Sequence, residues 1–383
     1  MKYDFLIKHG RVLDAGQGID EIRDVWIYNS KIMPAPEEPD KAEVDEVIDA
    51  SGLLVLPGLI DFHTHLGYRN SDVGLHPDLY TLPNGVTSAV DAGSGGSCNF
   101  ESLVHDNIYA AWITMRAFLN ITATGIITEQ YFENMEPENI DHKRLEYLME
   151  RYGDLILGFK CRIGHFFSKE LGLIPLDEAR KLGEKFHLPV CCHAVWPESP
   201  YQDILSRLHQ NDILCHCFQS QGEYSILDEN GRVQDCVREA RDRGVIFDGA
   251  SGRKNHSLSV MQKAIAQGFL PDIISTDVVT HSIYRKNLFG LPYTMSEYLA
   301  GGMELLDVIG ATTATPAKLM HLEDQIGTLK PGAMADVAIM QLLEKPMIFH
   351  DMVGNDMPAD KLFVPVMTWK AGRLAYRRID YTF

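Results

Sequence analysis

Between residues 59 and 278, short apolar runs alternate with longer stretches in which apolar residues recur at helical spacing. The runs cover 59–65, 86–91, 115–122, 155–163, 189–195, 212–218, 245–250 and 272–278, each rich in β-branched or other apolar residues. They read as strands. Helical patterns follow most of them, at 100–112, 141–152, 176–186, 201–209, 233–243 and 258–267, while the first crossover, around 77–83, is short. Beyond the eighth run, 294–300 and 304–309 read as two helical pieces, and Thr315-Pro316-Ala317 as a helix entry with proline in its first turn. Strand then helix, repeated eight times, predicts an α/β fold, a (β/α)8 TIM barrel closed by helices outside.

The two chain ends follow a different period. Asp4 to His9 and 24–28 alternate, with a turn at Asn29-Ser30, and the pattern returns at 335–340 and 365–372. Neither end is long enough to bury much surface alone, so the two are expected to pair in a small β-sandwich. The competing arrangement is two independent terminal flaps. The expected organisation is therefore a sandwich of 1–55 plus 328–383 and a catalytic barrel of 56–327.

A length of 383 residues suits a barrel of about 250 residues with an appended module. Hydrophobic residues at 45% and charged residues at 23% exclude disorder, and no apolar run approaches the ~20 residues of a membrane span. Met1-Lys2-Tyr3-Asp4 is not a charged-then-apolar leader, which leads to the expectation of an unprocessed, cytoplasmic chain. The net charge of −18 disfavours nucleic acid and anionic membrane as partners. A small-molecule substrate remains, anionic if a local arginine overrides the global charge, and association between copies of the chain is left open. Seven cysteines, an odd count, argue for free thiols.

Candidate chemistry starts at Leu59-Ile60-Asp61-Phe62-His63-Thr64-His65. Side chains of a strand repeat every two residues, so both imidazoles emerge on one face, rooted about 7 Å apart, as a two-toothed metal clamp. The plain alternative is two unrelated polar residues at a strand end. A barrel places its reactive side chains at the carboxyl ends of its strands. Lys160 falls near the end of the fourth strand, His193 ends the fifth, His216 the sixth and Asp277 the eighth. Each alone is more often a hydrogen-bonded scaffold residue, but six together at equivalent places are hard to ascribe to chance. Gly93-Ser94-Gly95-Gly96-Ser97 lacks the lysine and hydroxyl of a phosphate loop and reads as a loop beside the site. Strand alternation places Cys191 on the face of His193 one layer deeper, and sends Cys215 and Cys217 outward into the helix layer, away from His216.

The Pro-Gly-Leu-Ile-Asp-Phe-His-Thr-His strand, Gly158-Phe159-Lys160, His193, His216, Ser275-Thr276-Asp277 and the late Gly327-Thr328-Leu329-Lys330-Pro331-Gly332-Ala333-Met334-Ala335-Asp336 together resemble the amidohydrolase superfamily over almost the whole chain. Leu119-Asn120-Ile121 and Thr294-Met295-Ser296 are similar to its dihydroorotase-like amidohydrolase/deacetylase branch. The resemblance implies two divalent metal ions, with His63, His65 and Asp277 on one and His193 and His216 on the other. It further implies that Lys160 carries a carbamate derived from carbon dioxide and bridges both, since an ammonium has no lone pair for a metal. Such ligands suit Zn²⁺, and Mn²⁺, Fe²⁺ or Co²⁺ share the ligand type. Cys98 lies where some related deacylases place a metal-binding cysteine, but Lys160 already supplies the bridge. The implied reaction is amide or ester hydrolysis by a metal-bridging hydroxide, with Asp277 carrying the proton to the leaving group.

Substrate is less legible. Arg162 shares the inward face with Lys160 and is the candidate for gripping a carboxylate, or else forms a salt bridge to a loop acid. His256, His281, Tyr284 and Asn287 fall on loops after the seventh and eighth strands and are candidates for shaping the pocket. Dihydroorotases of the superfamily carry arginine two residues after the second histidine, where this chain has Gly67. The reading is thus removal of an acyl group, acetyl above all, from an N-acyl amino acid or O-acyl hydroxy acid. The alternatives are a cyclic amidase and a non-catalytic barrel scaffold.

Overall fold

The computed structural model describes residues 2–285 and 288–381. Seven parallel strands form one curled sheet, in chain order: Leu59–Thr64, Val86–Asp91, Thr114–Asn120, Ile156–Ile163, Val190–Ala194, Ile213–Cys215 and Ile246–Asp248. All are buried on both faces except at Thr114, Arg116 and Ile246, which explains their unbroken apolar character. Most intervening helices lie within two or three residues of expectation, as at His142–Tyr152, Ile174–Phe186 and Leu258–Ile265. Three elements differ. The helix expected over 100–112 is an α-helix only at Phe100–Leu103 and continues as a wider π turn over Val104–Ile108. The sixth strand stops at Cys215, because His216 adopts a left-handed φ of 60° that no strand tolerates. The segment 272–278 is not a continuous strand. It bridges Asp248 through Ile273 and Thr64 through Val278, both in parallel sense, with Asp277 at φ 51° between the two contacts.

Two further sheets come from the chain ends. Lys31–Met33, Val25–Tyr28, Lys2–Lys8 and Glu43–Asp49 form one, and Arg373–Arg377, Asp356–Lys370, Val337–His350, Leu54–Pro57, Arg11–Asp14 and Ile19–Ile22 form the other. One apolar cluster takes Ile7, Ile27 and Ile48 from the first sheet and Val12, Val55, Val337 and Trp369 from the second. The hairpin Val337–His350/Asp356–Lys370 is far longer than the alternation at 335–340 and 365–372 suggests. Its register shifts between Glu344 and Met347, at Pro346, and between Ile339 and Met340, opposite Pro365, so these two prolines sit where a bulge spares a ladder hydrogen bond. The distal half lies along the helix Leu291–Ala300, where Phe363 N donates to Ser296 Oγ at 2.9 Å. At the hairpin tip Asp351 accepts from Leu258 N at 2.9 Å, which holds the tip beside the carboxyl ends of the parallel strands. Among the described residues no helix is long and apolar enough to cross a membrane.

Candidate metal centre

His63 lies within the first strand of the curled sheet and His65 one residue past its end, so alternation sends both rings to one cavity, with centroids 6.0 Å apart. Lys160 enters from the fourth strand, His193 from the fifth, His216 from just beyond the sixth and Asp277 from the bridging segment. All six meet there. Lys160 Nζ is 3.4 Å from His63 Nε2, and His216 Nε2 is 2.9 Å from His193 Nδ1. Asp277 Oδ1 lies 3.3 Å from His65 Nε2 and 3.7 Å from His63 Nε2. His63, His216 and Asp277 each place a ligand atom within 4.8 Å of the others.

A second layer aims these groups. His63 Nδ1 is 2.9 Å from Asp248 Oδ2 and His216 Nδ1 is 2.8 Å from the Ala250 carbonyl. Each ring donates outward and turns the Nε2 lone pair to the centre. His65 Nδ1 faces Ser94 Oγ at 2.9 Å, and Asp91 Oδ1 holds Ser94 N at 2.8 Å, so the glycine-rich loop supports the clamp. Gly93 has φ 94°, and a Cβ there would lie 2.6 Å from Lys160 Cγ; only glycine lets the lysine pass. Sequence reading placed the loop that carries Ser94 beside the site without assigning the residue a role, and missed Asp248, whose sole signal is its position at a strand end.

Burial governs protonation. It holds His63 and His193 well below the usual histidine range and His216 at about 3, so all three stand as neutral imidazoles, the form that binds metal. Burial acts the other way on Asp277, but hydrogen bonding to His65 and the charge of Arg253 outweigh it and keep the carboxyl ionised. Burial favours the neutral amine of Lys160, whereas Cys191, Cys215, Asp277 and Asp248 favour the ammonium and prevail. Nitrogen and carboxylate donors in a buried cluster suit a divalent cation such as Zn²⁺, with His193 Nδ1 and His216 Nε2 brought to within 2.9 Å of each other.

A cavity of about 390 Å³ opens outward, lined by Phe132, Phe166, Phe167, Val195 and Met352 and by Glu129, Arg162, Arg253 and His281. Glu129, Arg162, His193 and Arg253 also line the inner space around Lys160 and Asp277. Arg162 does form the loop salt bridge, with Nε 2.6 Å from Glu133 Oε1 and a second contact to Oε2. His281 reaches Glu129 Oε2 at 2.8 Å. His256 is displaced from its expected place: it is buried between Phe218 and Tyr298, at centroid distances of 6.1 and 5.8 Å, and does not line this cavity. Tyr284 is exposed, and Asn287 lies outside the described residues. Glu129, Glu133 and Arg253 carry no periodic or motif signal and were not anticipated. Asn255, which donates to Asp277 Oδ2 at 3.0 Å, was also missed.

The cysteine expectation needs one correction. Cys191 is inward as expected, but Cys215 is inward too, 3.2 Å from Cys191 Sγ and 3.7 Å from Lys160 Nζ. The left-handed backbone at His216 is the reason, because it breaks the alternation on which the outward placement rested. Cys98 is exposed, and all seven thiols are free.

Known proteins share this frame. Residues 276–376 match the family described as Amidohydrolase family. A deacetylase of Agrobacterium fabrum is 30% identical over 319 residues, which span 83% of this chain and 78% of that protein. Among solved structures, a dihydroorotase superposes with a TM-score of 0.88 at 27% identity over 97% of both chains. An adenine deaminase superposes with a TM-score of 0.86 at 26% identity over 98% of this chain and all of the other. Fold, buried ligand cluster and relatives together define a hydrolase acting on C–N bonds. The chain belongs to the amidohydrolase superfamily, whose members are metal-dependent.

Proposed function

We propose that this hydrolase removes an acyl group, acetyl in the first instance, from an N-acetyl amino acid or O-acetyl hydroxy acid. The observation that carries the metal chemistry is the meeting of six ligand-competent side chains from five segments in one buried cluster. His63, His65 and Asp277 would hold one divalent ion, His193 and His216 a second, and Lys160 both, after its neutral amine adds carbon dioxide and releases a proton to become a carbamate. When bound, the two ions supply a water acidic enough to attack near neutral pH and polarise the acyl carbonyl. Asp277 is held by Asn255 through Oδ2, which leaves Oδ1 on the histidine side to accept the proton and return it to the departing nitrogen or oxygen. We read the curled sheet and its bridging segment as a closed eight-stranded barrel over 56–327. The terminal sheets then form a sandwich from 1–55 and 328–383.

The likeness to the Agrobacterium fabrum deacetylase and Gly67, where dihydroorotases of the superfamily carry arginine, support the acyl reading. The likeness to a dihydroorotase structure favours cyclic amide hydrolysis as the second reading. The deciding experiment is a screen of the zinc- and bicarbonate-loaded protein against N-acetyl-D- and L-amino acids, acetylated hydroxy acids and cyclic ureides. Turnover of the acetyl compounds is expected; turnover of the ureides alone overturns the proposal.

A further inference from the structure

Glu129 and Glu133 lie four residues apart in the irregular segment after the third strand of the curled sheet, and each caps an arginine that arrives from elsewhere. Glu133 takes Arg162 of the fourth strand, and Glu129 takes Arg253 of the turn after the seventh. The two pairs differ in exposure. The side chains of Arg162 and Glu133 are 6% and 1% exposed, and the guanidinium lies 4.1 Å from the Phe167 ring centroid. Opening that pair would strand two buried charges, so it serves as wall. Arg253 and Glu129 are 24% and 28% exposed and face the cavity.

Arg253 also stands next to the reacting groups. A Cβ on Gly252 would lie 2.8 Å from Asp277 Cβ, so the turn is pressed onto that aspartate, and Arg253 follows at φ 54° with Nη2 3.6 Å from Asp277 Oδ2. An anion on Arg253 would thus sit within one small molecule's length of the ligand cluster. Glu129 has a second partner to retain, His281 Nε2 at 2.8 Å. We propose that Arg253 is the receptor for a carboxylate on the substrate and that Glu129 occupies its place until the substrate displaces it. A substrate carboxylate offers a guanidinium the same fork of acceptors as Glu129 does. Phe132, Phe166, Val195 and Met352 give the same cavity an apolar lining. The substrate class is an acylated amino or hydroxy acid with a free carboxylate and an apolar side chain. This specificity rests on the acyl-hydrolase reading.

The test compares an O-acetyl 2-hydroxy acid bearing an apolar side chain with its carboxamide on the zinc- and bicarbonate-loaded protein. Arg253→Met is expected to lower kcat/KM for the acid about 10- to 100-fold, with the carboxamide affected far less. Because Arg253 touches Asp277, a second variant leaves that contact in place: Glu129→Gln is expected to lower KM for the acid about three- to tenfold by weakening the competitor, with kcat retained. Equal losses for acid and carboxamide in Arg253→Met, or an unchanged or higher KM in Glu129→Gln, overturn the proposal. If the unaltered protein hydrolyses neither compound and none of the N-acetyl amino acids, the acyl reading has failed. Calorimetric titration with the free hydroxy acid then judges the arginine separately, and equal affinity for the unaltered protein and Arg253→Met overturns it.

Discussion

His193 Nδ1 and His216 Nε2 face each other at 2.9 Å, one from inside a strand and the other from the residue that ends the next. The outward bond of His216 to Ala250 leaves its inner nitrogen as a lone pair, so the two rings converge as a chelate for a cation. Loss of either ring should release an ion. His193→Ala and His216→Ala are expected to bind at most one metal per chain against two for the unaltered protein, with activity down at least ~100-fold. Elemental analysis after gel filtration checks this. Two ions retained in either variant would remove these residues from the ligand set, and fewer than one ion in the unaltered protein would end the two-metal proposal.

Lys160 stands 3.4 Å from His63 Nε2 and within reach of two thiols, with no carboxylate hydrogen bond of its own among the described residues. If its amine binds metal only as the carbamate, then reloading after chelation needs carbon dioxide as well as metal. Zinc added in carbon dioxide-depleted buffer should restore little activity, and bicarbonate should restore the rest. Full recovery from zinc alone argues against the modification.

Asp248 takes the outer nitrogen of His63 at 2.9 Å and the hydroxyl of Ser275 at 2.6 Å, both buried. Its carboxylate fixes which nitrogen of His63 faces inward. Asp248→Asn can present an N–H where an acceptor is needed and should weaken metal binding about 10- to 100-fold. Competition with a chelator measures it; an unchanged affinity would make Asp248 a scaffold residue only.

The strand positions could be read from the chain because buried parallel strands are continuous apolar runs, and the meeting of the six side chains could be expected because reactive groups gather at the carboxyl ends of parallel strands. Left-handed backbone at His216 and Asp277 could not be read, since neither is glycine and no local pattern marks it. That one dihedral reversed the side to which Cys215 points. Arg253, Glu129 and Glu133 escaped for another reason: irregular segments carry no period, and their pairing depends on loops that meet only in the folded chain. The middle of the long hairpin was hidden by Glu344-Lys345-Pro346, which interrupts alternation where the strand bulges.

Lys370 Nζ donates to Asp336 Oδ2 at 2.7 Å and to Thr114 Oγ1 at 2.9 Å, and so ties the terminal hairpin to the third strand of the curled sheet. Both charges are nearly inaccessible, at 3% and 1% side-chain exposure. Removing only the cation leaves Asp336 charged and buried, which costs about 3–5 kcal/mol. Lys370→Met should lower stability in denaturant by that amount, while the double variant Lys370→Met/Asp336→Leu recovers part of it. A loss below about 1 kcal/mol in the single variant would mean that water reaches the pair.

His256 gives the fold an acid-sensitive point away from the ligands. Its ring is buried against Phe218 and Tyr298, and neither ring nitrogen has a partner in the protein. Burial pushes its pKa from 6.5 down to about 4, with the charge of Asp351 opposing the shift. The native histidine therefore binds fewer protons than the unfolded one between those values, so stability falls as pH drops from 6.5 towards 4. The integrated loss is on the order of 3 kcal/mol by pH 4. His256→Phe fits the aromatic surroundings and removes the titration. Denaturant unfolding of both proteins across this range should show the difference in stability, variant minus unaltered, growing in favour of the variant as pH falls. A constant difference would mean that the ring finds a proton acceptor in the native state.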